Sequence, residues 1–237
     1  MRTHYLYQGA FLSVTAVIPA AGVGKRFGGD VKKQFAEFNG RSVLYYALKC
    51  LRDAYEFDEF LIGAGEDDFG TVNETADALG IRYRMIKGGD ERWKTVLNCL
   101  LEVKSTHVLI HDAVRPFVPA EVTRDTIKTA EESGACICCV PVRETLKRVT
   151  PDGIEGTVDR NRYVLSHTPQ VFELGRLLAA VMDAAGKKAN PTDESMAMEM
   201  AGHRVKYVQS TPENIKITYS SDIELVKSLM GKYHGNI

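Results

Sequence analysis

No charge of either sign predominates in this chain: 30 Lys and Arg stand against 31 Asp and Glu, a formal net charge of −1. A globally basic field for nucleic acid is thereby excluded, and any anion site has to be local. Long apolar runs are also missing. The longest are interrupted well before membrane-spanning length. Met1 to Ser13 carries Arg2 and His4 without the continuous apolar core of a signal peptide, and it reads as a short extension before the first strand. The five cysteines make no framework. Cys136, Cys138 and Cys139 form a C-x-C-C run with no distal Cys/His pair to complete a zinc site. They lie in the apolar run Ala135 to Val142, while Cys50 and Cys99 fall on apolar faces of expected helices. All five read as buried free thiols of a reducing cytoplasm. Internal repeats, low-complexity segments and an Asp-x-Asp metal pair are absent as well.

What is present is ordinary globular composition, 237 residues with 44% hydrophobic and 26% charged. Short β-branched runs alternate with helical patterns. Strands are expected at Val14–Ile18, Phe60–Ala64, Arg82–Ile86, His107–His111 and Ala135–Val142. Helices are expected at Ser42–Ala54, Asp68–Leu79, Glu91–Val103 and Ala120–Ser133, the second closing at Gly80 and the fourth at Gly134. That alternation predicts βαβ units: an α/β, Rossmann-like, mainly parallel twisted sheet with helices on both faces. After Pro141 the pattern changes. Glu144–Thr150 and Ile154–Val158 flank a Pro151-Asp152-Gly153 turn, which predicts a hairpin leaving the sheet as an arm that needs a partner surface. The last third returns to the core, with helices near Glu173–Ala185 and Asp193–Met200, strands near Val205–Val208 and Ile215–Ile217, and a helix from Asp222. Thr192 is placed to cap the Asp193 helix, and Asp193 and Glu194 suit its N-terminal dipole. Residues 14–237 read as a single domain.

The chemistry gathers where strands end. Ile18-Pro19-Ala20-Ala21-Gly22-Val23-Gly24-Lys25-Arg26-Phe27 follows the first strand, with Lys32-Lys33-Gln34 close behind. Small residues let backbone N–H groups approach phosphate oxygens, and the cations neutralise what remains. Neither a Walker A loop nor a dinucleotide fingerprint fits, since Arg26 and Phe27 stand where those motifs need Ser/Thr and Gly. The bland alternative is a surface turn with solvated cations. Lys87-Gly88-Gly89-Asp90-Glu91-Arg92 and His111-Asp112-Ala113-Val114-Arg115-Pro116 end two further strands. In an open parallel sheet these loops converge on one crevice. Gly88-Gly89 permits close approach to a flat ligand. Asp112 suits a Mg²⁺ ion or an ion pair with Arg115, and His111 reads as a packed histidine rather than a base.

Taken together, these blocks resemble the cytidylyltransferases that make CDP-linked polyols, most closely the 2-C-methyl-D-erythritol 4-phosphate cytidylyltransferase family. The resemblance runs from about Val14 to the C-terminal helix. It also rests on Pro141-Val142-x-x-Thr145-x-Lys147-Arg148, Val158-Asp159-Arg160, Thr168-Pro169-Gln170 and Asn214-Ile215-Lys216-x-Thr218. It implies a nucleotidyltransferase using CTP and Mg²⁺, with the CTP phosphates lined by Ala20, Ala21 and Gly22 in the loop that includes Gly24. It further implies that Arg26 and Lys33 stabilise charge at the α-phosphorus, and that Gly89, Asp90 and Thr95 hold the cytidine part. Asp112 and Arg115 would line the centre near the metal. Arg160 and Lys216 would position the polyol phosphate, with Thr145 and Thr168 lining its pocket. The arm, roughly Arg143 to Tyr163, would pair two subunits into a homodimer and complete the neighbour's site.

Three features depart from the family pattern: Lys32 where proline is common, Ser166-His167 before Thr168, and the N-terminal extension. A ribitol-5-phosphate cytidylyltransferase is the nearest rival reading, and a non-catalytic nucleotide-binding module a more distant one.

Overall fold

A computed structural model describes residues 12–24, 27–28 and 31–233 of the chain. The N-terminal extension up to residue 11 and the loop cations Lys25 and Arg26 therefore lie outside the described residues.

The first half alternates as its periodicity predicts. Strand β1 (Val14–Pro19) is followed by two short ribbon strands, β2 (Glu37–Phe38) and β3 (Arg41–Ser42), and by helix α1 (Val43–Ala54). Ser42 caps α1 by accepting from the Tyr45 N–H. Then come β4 (Glu59–Ala64), α2 (Phe69–Leu79), β5 (Tyr83–Lys87), α3 (Arg92–Leu100), β6 (His107–Ile110), α4 (Ala120–Ser133) and β7 (Ala135–Pro141). Gly80 and Gly134 end α2 and α4 in the left-handed conformation. The second half holds β8 (Lys147–Thr150), β9 (Gly153–Thr157), β10 (Val164–Glu173), α5 (Leu174–Gly186), α6 (Glu194–Met200), β11 (Lys206–Gln209) and α7 (Asp222–Tyr233). Among the described residues no helix is long and apolar enough to cross a membrane.

One sheet of seven strands organises the molecule, in the order β11-β7-β10-β6-β1-β4-β5. Its pairings are parallel except those of β10, which runs antiparallel to both β6 and β7. Alternate side chains serve opposite faces. Val14, Ala16 and Ile18 of β1 pack with Leu44, Leu48 and Leu51 of α1. Val17 joins the cluster of Leu61, Val96, Leu100 and Leu177 on the other face. Each such leucine contributes about 1.5–3 kcal/mol through burial. A third cluster, Phe38, Val43, Tyr46, Val114, Phe117, Ile217 and Val226, seals the end of the sheet next to the strand-end loops.

Three expectations are corrected here. No strand is expected from sequence at Val164–Glu173, yet β10 is inserted there in mid-sheet. Thr168-Pro169 interrupts its apolar pattern, and the ladder to β7 shifts register between His167 and Gln170, where proline offers no N–H. Ile215–Ile217 is not a strand. It is irregular chain held by burial of Ile217 and by the Ile217 N–H donating to the Val114 carbonyl at 3.0 Å. Finally, Asp193 rather than Thr192 caps α6, accepting from the Met196 N–H at 3.0 Å.

The hairpin expected after Pro141 is present. β8 and β9 pair with each other alone, and Val149 and Ile154 are each 69% exposed. The excursion closes at its base, where Val158 N–H donates to the Leu146 carbonyl and the Arg160 guanidinium to the Arg143 carbonyl.

Candidate active site

The strand-end loops line a cavity of about 280 Å³ at the carboxyl ends of β1, β5 and β6, floored by Asp112. Of the residues singled out from sequence, Ala20, Ala21, Gly22, Lys33, Gly89, Asp90, Thr95, Asp112 and Lys216 line it.

The first wall is the loop after β1. Gln34, 2% exposed, donates from Nε2 to the carbonyls of Ala20 at 2.7 Å and Gly22 at 3.0 Å. The Ala20 N–H donates to the Gly63 carbonyl. With those carbonyls turned inward, the N–H groups of Ala21, Gly22, Val23 and Gly24 have no acceptor among the described residues. A run of unpartnered N–H groups on small residues is a ready anion cradle. Gly24 sits at φ +66°, a conformation that favours glycine, and the stem of Lys33 packs beside it, its Cγ 3.4 Å from where a Cβ would stand. Lys32 does not add a cation to the cavity, because its ammonium is held by both Asp68 oxygens at 2.8 and 2.6 Å.

The second wall is the turn into α3. It approaches the first so closely that a Cβ on Gly88 would lie 2.3 Å from the Ala21 Cβ. The Thr95 hydroxyl accepts from the Gly89 N–H at 3.0 Å, so it shapes this turn. Asp90 and Glu91 are ion-paired with Lys94.

The floor is a charge cluster. Asp112 Oδ1 accepts from Arg92 Nε at 3.0 Å, and its Oδ2 faces Lys216 Nζ at 2.9 Å and Arg115 Nε at 3.5 Å. Burial alone would raise the Asp112 carboxyl, but Arg92, Lys216 and Arg115 outweigh it and hold it well below the usual carboxylate range. Arg115 is buried beneath the floor rather than lining it, and donates to the Asn214 carbonyl at 2.7 Å. Its pKa is lowered by desolvation that Asp112 only partly offsets.

Below Arg115 lies the buried His111, whose Nε2 is 3.0 Å from the Arg115 carbonyl. A carbonyl only accepts, so the proton sits on Nε2, and Nδ1 accepts from the Thr168 hydroxyl at 3.1 Å. Burial pushes this imidazole down to about 4. Thr168 also accepts from the Asp112 N–H at 3.0 Å, so it supports the floor instead of lining a pocket. As a metal ligand, Asp112 is a poor candidate, because both oxygens already serve cations. Among the described residues no group of three or more His, Cys, Asp or Glu is arranged to hold a metal ion.

Lys216 also lines a second cavity of about 400 Å³ at the root of the arm, with Arg143, Glu144, His167 and Ser210. Thr145 and Arg160 are exposed on the arm itself and line neither cavity. Arg26 lies outside the described residues. Gln34, Arg92 and Asn214 stand inside the motifs Lys32-Lys33-Gln34, Lys87–Arg92 and Asn214–Thr218, but nothing in sequence assigns them a role. Asn214 is fully buried and donates from Nδ2 to the Thr168 carbonyl at 2.9 Å. All five cysteines are free, with Cys50 partly buried and the others buried.

Comparison with known proteins converges on one description. A family model described as "IspD: 2-C-methyl-D-erythritol 4-phosphate cytidylyltransferase" matches residues 14–232. A protein of that name from Alteromonas mediterranea is 37% identical over 223 residues, 90% of this chain and 91% of its own. Another from Bacillus licheniformis is 32% identical, covering 92% of this chain and 96% of its own. The solved structure of 4-diphosphocytidyl-2C-methyl-D-erythritol synthase from Anaerococcus prevotii superposes with a TM-score of 0.83 at 27% identity, covering 92% and 96% of the two chains. That of 2-C-methyl-D-erythritol 4-phosphate cytidylyltransferase from Thermus thermophilus gives 0.78 at 27% identity, covering 92% and 98%.

Proposed function

The chain belongs to the 2-C-methyl-D-erythritol 4-phosphate cytidylyltransferase family, and from that premise we infer its reaction and the part each residue plays. It transfers CMP from CTP to the phosphate of 2-C-methyl-D-erythritol 4-phosphate, giving 4-diphosphocytidyl-2-C-methyl-D-erythritol and pyrophosphate. The single observation that carries the mechanism is the cavity in which the Ala20–Val23 loop, Lys33 and Lys216 converge.

An oxygen of the acceptor phosphate attacks the α-phosphorus of CTP. The bond from that phosphorus to the bridging oxygen breaks, and pyrophosphate leaves with the electron pair. A phosphate monoester is largely ionised at neutral pH, its second pKa being about 6, so no general base is required. The obstacle is repulsion between two anions. Catalysis is therefore in-line positioning with preorganised positive charge. We assign the Ala20–Gly22 loop to the triphosphate and Lys33, with Arg26, to the charge developing at the α-phosphorus. Gly89, Asp90 and the Thr95-braced turn receive the cytidine part. Lys216, standing between the two cavities, meets the acceptor phosphate. Asp112 and Arg115 act as counter-ion and support.

The residues present suit a Mg²⁺ ion carried in by the nucleotide better than one caged by protein, because Asp112 could bind it only by giving up Lys216. Hard cations take oxygen ligands, which the triphosphate has in excess. When bound, the ion neutralises triphosphate charge. Arg160 and Thr145, exposed on the arm and lining neither cavity of their own chain, are assigned to the acceptor site of a partner subunit in a homodimer paired through the arm. Residues 14–237 act as one nucleotidyltransferase unit, and the reduced thiols suit a cytoplasmic enzyme.

The test is pyrophosphate release from CTP and Mg²⁺ with 2-C-methyl-D-erythritol 4-phosphate, set beside D-ribitol 5-phosphate. Release with the first alone is expected. Release with ribitol phosphate in its place would overturn the acceptor, and none with either would overturn the reaction.

A further inference from the structure

Glu194 is the most deeply buried carboxylate of the chain's second half, 3% exposed, although it is the first residue of a short helix. Its oxygens receive Arg92 end-on, Nη1 to Oε1 at 2.7 Å and Nη2 to Oε2 at 3.1 Å. A favourable place on the helix dipole would need no such partner from a different element. Arg92 turns its remaining fork donor, Nε, to Asp112 Oδ1. Of its five N–H donors three are so engaged. It lines the cavity where the loop after β5 meets the floor.

We propose that Glu194 is a positioning residue of this site: by holding Arg92 it keeps Asp112 Oδ2 available to Lys216. The proposal rests on the cytidylyltransferase reading above for what Lys216 does. Three cations, Arg92, Arg115 and Lys216, face two carboxylates, Asp112 and Glu194. Neutralise Glu194 and the same cations face Asp112 alone. A guanidinium prefers a bidentate carboxylate, and Arg92, half-buried with its side chain 29% exposed, has Asp112 as its other carboxylate partner. Arg92 then takes both oxygens of Asp112, including Oδ2, and the Lys216 ammonium now 2.9 Å from that atom is displaced. Glu194 thus acts on a lysine it does not touch, through two intervening side chains.

The chain of contacts also explains why α6 is fixed as it is. Its cap, Asp193, accepts from Ser166 Oγ at 2.8 Å and Gln170 Nε2 at 2.9 Å, both on β10. The helix start is therefore pinned to the sheet on one side while Glu194 reaches the floor on the other.

The experiment is a double-mutant cycle on the full chain with Glu194→Gln, Arg92→Gln and both together. It reads kcat and each KM by pyrophosphate release, CTP affinity by calorimetry, and folding by urea titration. Glu194→Gln is expected to fold and to lower kcat roughly 100-fold, the effect of a misplaced positioning group. The acceptor's KM rises while CTP affinity changes far less. In the Arg92→Gln background the same change costs nothing further. Wild-type kcat in folded Glu194→Gln overturns the proposal, and so do additive losses or equal damage to both substrates. Should Glu194→Gln not fold, Glu194→Asp replaces it, retaining the charge while withdrawing the carboxylate by one methylene, and wild-type kcat there is equally fatal. A readout independent of turnover is the rate at which an amine-acylating reagent modifies Lys216, followed by peptide mass spectrometry. Faster modification in Glu194→Gln is expected, and an unchanged rate overturns the proposal. A wild type that releases no pyrophosphate would sink the functional reading alone, because the acylation arm still decides this one.

Discussion

Asp112 has two oxygens and faces three cations, and that imbalance defines what single residues do in this site. Each cation is held by something other than the substrate, so little reorganisation is needed when charge develops. Lys33 lines the opposite wall with the loop of Ala21 to Gly24, whose N–H groups have no acceptor among the described residues. Lys33→Ala is expected to lower kcat by about 100- to 1000-fold, with the urea midpoint little changed. Steady-state kinetics beside a denaturation curve checks this, and near-normal turnover would remove Lys33 from the chemistry. Residues such as these were legible in sequence because cations, glycines and carboxylates bunch after strands. Gln34 and Arg92 were less so. Their importance lies in partners far along the chain, Ala20 and Gly22 for the first and Glu194 for the second, and no local pattern announces such pairs. Lys32 shows the converse error. A lysine in a basic loop looked like a phosphate ligand, and the fold gives it to Asp68.

At the scale of elements, the parallel half was readable because 3.6-residue and two-residue periods alternate cleanly from β1 to β7. β10 was not, since its middle is Thr168-Pro169-Gln170, polar and interrupted, and its burial comes from neighbours on both sides. The Ile215–Ile217 stretch has a strand-like apolar pattern, but its partner is a cluster of side chains and not a ladder. The arm was legible for the opposite reason: a turn flanked by short strands with nothing to pack on. Val149 and Ile154 are its exposed apolar side chains, and the proposed homodimer would cover them. Replacing both with Asp is expected to leave the monomer folded, abolish a dimer in sedimentation velocity, and lower turnover with it. A dimer that survives the double substitution would move the interface elsewhere.

For the molecule as a whole, the buried His111 ties stability to pH. Its pKa is depressed from 6.5 to about 4 by burial. The unfolded chain therefore binds a proton that the folded chain refuses between those values. The stability contributed by the neutral imidazole is complete above about 6.5 and is lost as pH falls toward about 4. The full window amounts to about 3 kcal/mol. Urea unfolding at pH 7, 5.5 and 4.5 measures it. Relative to the wild type, His111→Asn is expected to flatten the slope by up to about 1.4 kcal/mol per pH unit in the window. An unchanged slope would assign the titration to other groups.

The buried thiols have a practical consequence. Cys136, Cys138 and Cys139 stand on β7 in the interior of the sheet, and Cys99 on the buried face of α3, each with its pKa pushed up to about 11 or 12 by burial. A thiolate-seeking reagent reaches them only when the sheet comes apart. The native chain thus carries its own unfolding clock. Slow release of chromophore from an aromatic disulfide, counted against time, reports the opening rate of the fold without any label being introduced, and bound nucleotide should slow it.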